Sequence, residues 1–211
     1  MQAIRVHGGN ELRYEDVPDP QPDTGEVVVE LRAAGVNRRD LLVRNGTYPF
    51  PLPLVPGSDG AGVRTDTGEE VVVFPALGWG DREDAPAPGF GILGGPRDGT
   101  YAELVALPVE NTQLGSPRDF EHLLRMLEGA SWKPVLDSVR PLAEAEAALA
   151  CLESGEHYGK LVLEIAQSSF TATGCPGRAG DHVRGPRRAP APAPAAGGAR
   201  ARLDALAPGP A

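Results

Sequence analysis

The feature that most limits what this chain can fold into is a break in character near Gln167. From there to Ala211 the residues are mainly Ala, Pro, Gly and Arg in no periodic order, and Arg187 to Arg202 read RRAPAPAPAAGGARAR. Such a stretch buries too little apolar surface to offset the entropy of ordering it, so residues 167–211 are expected to form a disordered tail. Any fold must then be built from residues 1–166. Six tail arginines (178, 184, 187, 188, 200 and 202) face only Asp181 and Asp204, so the tail is basic. That leaves contact with nucleic acid open, although an extension without function is the plainer reading. The formal net charge of the 211-residue chain is −9, which argues against a nucleic-acid or anionic-membrane partner for the whole.

Hydrophobic residues make up 41%, enough for a core, but aromatics only 5%, so Val, Leu, Ile and Ala must fill it. No apolar run approaches the roughly 20 residues that span a bilayer. Met1 to Gly8 lacks the basic-then-apolar order of a signal peptide, and the expected compartment is the cytoplasm. Cys151 and Cys175 make neither a disulfide framework nor a metal pattern, and Cys151 reads as a small buried hydrophobe.

Residues 1–108 read as mostly β. Strands are expected at 2–6, 11–16, 26–34, 61–64, 70–74 and 100–107. Prolines at 18, 20 and 22 forbid regular pairing there and make a connector. A short helix follows Asn37 as its cap, with Asp40 at the acidic third position, Leu41 and Leu42 toward the core and Gly46 as the stop. A long loop, 76–98, is rich in Pro and Gly. The segment 114–166 changes to α/β. Ser116 caps a helix whose Phe120, Leu123, Leu124 and Leu127 form one apolar stripe; a strand at 134–139, an Ala-rich helix at 142–153 and a strand at 160–165 complete it. The expected fold class is mixed α/β, mostly β. Its parts are 1–113, then 114–166 completing the same domain, then the tail.

Four segments in order now make a resemblance. AAGVNRRDLLVRNGTYP (33–49), LVPGSDGAGV (54–63), DGTYAELVALP (98–108) and the stretch from Gly115 through PLAEAEAALACLESGEHYGKLVLEI (141–165) resemble the GroES-like catalytic domain of medium-chain dehydrogenase/reductases, and within them the zinc-independent, quinone oxidoreductase-like branch. The resemblance implies an oxidoreductase that moves a hydride from NADP(H) to a small-molecule quinone or enone. It also implies which residues border the cleft: Asn37, Asp40 and Tyr48 as catalytic candidates, with Gly57, Ser58 and Asp59 as its cofactor-side wall. Asn37 or Tyr48 would donate to a developing oxyanion. Each has a plainer use as well. Asn37 and Asp40 cap a helix, Tyr48 covers the core rim, the 57–62 glycines serve tight turns, and Trp79 and Trp132 anchor packing.

Two departures from the family matter. Its Rossmann domain lies between the segments ending at Pro108 and starting at Gly115, where this chain has almost nothing. A dinucleotide site needs a strand, a Gly-rich turn and a helix. Residues 57–62 (GSDGAG) lack the spacing, and Gly89-Phe90-Gly91-Ile92-Leu93-Gly94 has the spacing without the flanking elements. No cofactor is therefore expected to bind tightly. Zinc members of the family carry a cysteine where this chain has Asn37, a His-Glu pair where it has Ser58-Asp59, and four cysteines in the loop matching 76–98, which has none. No zinc is expected. The chain is expected to be inactive alone, with a sticky face bordered by Tyr48, Phe50, Leu52 and Leu54 that favours self-association. The alternatives are a non-enzymatic remnant or interaction module, or a half-enzyme completed by another chain.

Overall fold

A computed structural model describes residues 1–80, 86–112, 125–126 and 133–165. All lie in the unit Met1–Phe170. The expected tail and the expected helix carrying Phe120, Leu123, Leu124 and Leu127 lie outside the described residues, as does Trp132, apart from the helical pair Arg125 and Met126.

The architecture is β-rich. Strands β1 (Gln2–Val6) and β2 (Leu12–Asp16) form an antiparallel pair, followed by β3 (Glu26–Gly35). Helix α1 (Arg38–Arg44) precedes β4 (Asp59–Arg64) and β5 (Glu70–Val73). Two short strands, β6 (Ala76–Leu77) and β7 (Gly91–Ile92), pair within the long Pro/Gly loop, and β8 (Leu104–Pro108) closes the first part. After it come β9 (Leu136–Pro141), α2 (Ala145–Ser154) and β10 (Lys160–Glu164).

The main sheet runs β5-β4-β3-β10-β9, with β8 also on β3. Strand β3 makes this possible because it has ten residues where its neighbours have five or six. Its first half, Glu26 to Glu30, pairs with β8. Its last residues, Ala33 to Gly35, pair with β10, opposite Glu164 to Val162. Strand β4 lies along the other side, with a register shift between Leu31 and Ala33. The sheet thus forks, and segments far apart in sequence share one strand. The pairing of β10 with β9 is parallel, and α2 is the crossover between them, as a parallel pair requires.

The core follows the fork. One cluster gathers Ala3, Ile4, Ala34, Val36 and Tyr101 with Leu142, Leu149, Leu161 and Leu163. Half-buried Cys151 packs against it. A second cluster holds Val29, Leu31, Val73, Leu93, Val105 and Leu107. A third joins Val6, Val43 and Leu54. Leu54 therefore belongs to the core rather than to the rim where the sequence reading placed it, because its backbone bonds antiparallel to Val6 and turns the side chain inward. Trp79 meets the Phe90 ring edge-on at a centroid distance of 5.4 Å, a packing geometry. Among the described residues no helix is long and apolar enough to cross a membrane.

Candidate functional site

Helix α1 starts where β3 ends, and the chain then returns to the same corner of the sheet through β4. The register sets Gly35 of β3 opposite Asp59 of β4 on one side and Val162 of β10 on the other. Asn37, Ser58, Asp59 and Lys160 meet there. The Asn37 amide donates from Nδ2 to Asp59 Oδ2 at 2.8 Å and lies 3.5 Å from Ser58 Oγ. Lys160 Nζ donates to Asn37 Oδ1 at 2.6 Å and to Asp59 Oδ2 at 3.3 Å. Ser58 Oγ is 3.5 Å from Asp59 Oδ1. Ser58 is buried, whereas the Asp59 and Lys160 side chains are 48% and 40% exposed, so the cluster faces outward.

Asp40 lies behind this cluster and is fully buried. Its Oδ2 accepts the backbone N–H of Asn37 at 2.8 Å and the Tyr101 hydroxyl at 2.8 Å. Its Oδ1 is buried without a partner. Burial raises its pKa above the usual carboxylate value, only partly opposed by those two hydrogen bonds. Burial likewise pushes the Tyr101 phenol well above its ordinary value, with the neighbouring Asp40 adding to the effect.

Gly57 is buried with φ of +95°, and a β-carbon there would fall on the Tyr101 ring. It therefore serves close packing of β4's entry against Tyr101. Tyr48 is 41% exposed and stands with Phe50 beneath Arg39, whose guanidinium lies 5.7 Å from each ring centroid. Arg39 also donates to the carbonyls of Gly94 and Gly95 at 3.1 and 2.8 Å, tying α1 to the long loop. The structure thus joins Asn37, Ser58 and Asp59, puts Asp40 beneath them, and assigns Tyr48 to a separate aromatic group. Lys160 and Tyr101 were not singled out in the sequence. The only signal for Lys160 was a charged residue opening a strand with a Leu-Val-Leu centre, directly after a glycine.

The donor set does not fit zinc. The amide oxygen and the carboxylate that would face a metal already hold the Lys160 ammonium, and a cation in that place opposes a second one. Among the described residues no three His, Cys, Asp or Glu side chains converge as ligands. A dinucleotide fits no better. Gly91 and Ile92 of the GxGxxG-spaced segment form β7, a hairpin arm with no helix after it. Residues 109–135 link β8 to β9. Within that link Asn111 and Thr112 are buried, and Asn111 donates to the carbonyls of Phe74 and Ala76 at 2.8 Å each.

The forked β sheet with an outward polar cluster at one corner has the fold of the GroES-like domain of alcohol dehydrogenases. Residues 23–115 match the alcohol dehydrogenase GroES-like domain, and residues 95–163 match the zinc-binding dehydrogenase family. The chain belongs to the medium-chain dehydrogenase/reductases. It is 35% identical over 127 residues to the quinone oxidoreductase of Rattus norvegicus, covering 57% of this chain and 35% of that protein. It is 37% identical over 115 residues to a zinc-type alcohol dehydrogenase-like protein of Schizosaccharomyces pombe, covering 49% of this chain and 33% of that protein. The matches thus span about a third of the length of these relatives. An NAD-dependent alcohol dehydrogenase superposes with a TM-score of 0.69 at 20% identity over 79% of this chain and 100% of that chain. A thermostable alcohol dehydrogenase from Pyrobaculum aerophilum gives 0.68 at 18% over 78% of this chain and 99% of that chain. At these identities the likeness is one of fold.

Proposed function

We propose that this chain is the substrate-side domain of a zinc-independent quinone or enone reductase of the cytoplasm, NADP(H)-dependent when complete and inactive by itself. The observation that carries the reading is the closure of Asn37, Ser58, Asp59 and Lys160 into one hydrogen-bonded cluster where zinc members of the family hold their metal. Such a cluster offers N–H donors to an acceptor oxygen, which is how a site without a metal polarises a carbonyl. Asn37 and Lys160 supply donors, and Tyr48 forms the rim over which a flat acceptor enters. Asp40 is a positioning residue that fixes the Asn37 backbone. A nicotinamide dinucleotide supplies the hydride in this chemistry. Among the described residues no Gly-rich turn leads into a helix that would anchor its pyrophosphate, so the dinucleotide is held elsewhere.

Two titrations test the reading. NADPH fluorescence should give a dissociation constant of about 1 mM or weaker, roughly 4 kcal/mol; a micromolar constant overturns the claim that the chain lacks its cofactor site. Neutral 1,4-naphthoquinone should shift the amide resonances of Asn37, Ser58 and Asp59. Shifts elsewhere, or none, overturn the assignment of the acceptor site.

A further inference from the structure

We propose that the Lys160 ammonium is the recognition group of this cluster, binding an acceptor oxygen that carries or develops negative charge. The inference rests on the reductase reading and names the group that selects the acceptor.

An ammonium has three N–H donors. Two are committed, to Asn37 Oδ1 and to Asp59 Oδ2, which leaves one for a ligand. The head is accessible, with the side chain 40% exposed. Its direction is fixed by the ligands it already has. Asn37 turns its oxygen to the ammonium and its nitrogen to Asp59, so neither the amide nor the lysine can rotate without breaking a bond of the other. The stem is seated as well. A β-carbon on Gly35 would lie 2.9 Å from Lys160 Cε and 3.1 Å from Asp59 Oδ2, so the lysine crosses β3 only because residue 35 is glycine.

Stability does not account for this arrangement. A half-exposed Lys–Asp pair adds little to stability, too little to explain a group brought to the corner from a segment 123 residues away. Binding does account for it. Asp59 and Asn37 orient the ammonium, and the one carboxylate oxygen it touches, Asp59 Oδ2, is shared with the Asn37 amide. An incoming oxyanion therefore meets a cation whose own carboxylate partner is already divided between two donors. The chemical class is a planar conjugated carbonyl compound whose oxygen takes negative charge, such as a quinone or an enone.

The test uses the full chain and two planar probes of similar size. One is neutral 1,4-naphthoquinone; the other is 2-hydroxy-1,4-naphthoquinone, an anion at neutral pH. The wild type should bind the anion about tenfold more tightly, with a saturable shift of the Lys160 ε-carbon resonance. Lys160→Met should abolish that preference, costing the anion about tenfold more affinity than it costs the neutral probe. Gly35→Ala, which displaces the stem but keeps the charge, should reduce the preference too, and serves if Lys160→Met fails to fold. A preference that survives both substitutions overturns the proposal, as does loss of both probes in Lys160→Met at an unchanged melting temperature. Neutral-probe binding at the corner without any anion preference in the wild type overturns the role of Lys160 and leaves the reductase reading standing. Failure of the wild type to bind either probe overturns both.

Discussion

Asp40 shows how one residue can serve two scales of argument. From sequence it is a helix-start acid, and the structure keeps it at that position, where it accepts the Asn37 backbone N–H. Sequence cannot tell that the same carboxylate is fully buried against Tyr101 with Oδ1 unpartnered, because burial there is set by residues 61 positions away. The consequence is a sign in the pH dependence of stability. The folded chain raises the pKa of Asp40, so it holds that proton more tightly than the unfolded chain does. The resulting stabilisation is complete below the unfolded-state pKa and is lost as pH rises through the folded-state value. Above the folded-state value the ionised carboxylate is a cost. Asp40→Asn keeps the shape and removes the charge, so its melting temperature should exceed that of the wild type at pH 8, and the gap should narrow as pH falls toward 4. A melting temperature below the wild type at pH 8 would mean that the charge at the start of α1 outweighs its desolvation.

At the scale of elements, most of the fold was legible. Alternating Val and Leu marked β3 and β10, and Asn37 and Gly46 bracketed α1 to within a residue or two. Two elements escaped. The short pair β6 and β7 lies in a Pro/Gly loop without periodicity and is held by pairing with each other, a non-local cause. Leu142 to Glu144 form a 3-10 turn where continuous helix was expected, because the helix proper begins only at Ala145. The fork in β3 was invisible too, since a ten-residue strand does not announce that its two halves have different partners. Strand β10 locks that fork through Leu161 and Leu163, both buried. Leu163→Ala should cost about 2–5 kcal/mol, read as a lower urea midpoint at unchanged slope. A cost below about 1 kcal/mol would show that β10 is a loosely held edge rather than a keystone.

For the whole molecule, the exposed apolar groups decide behaviour in solution. Tyr48 and Leu52 are 41% and 44% exposed, and on edge strand β9 Leu136 and Val139 are each 53% exposed. Light scattering on the chain should show concentration-dependent association, and Leu52→Ser with Tyr48→Ser should reduce it. A monomer at every concentration, indifferent to both substitutions, would show that this face makes no contact between copies. The forked sheet also has a consequence in time. Asn37 and Lys160 are 123 residues apart, and a ribosome adds about 5–20 residues per second. For roughly 6–25 s after the end of β3 has been made, its last residues have β4 on one side and nothing yet synthesised for the other. The nascent chain carries an open strand edge for that interval, and the polar corner is assembled only when the last strand of the sheet arrives to close it.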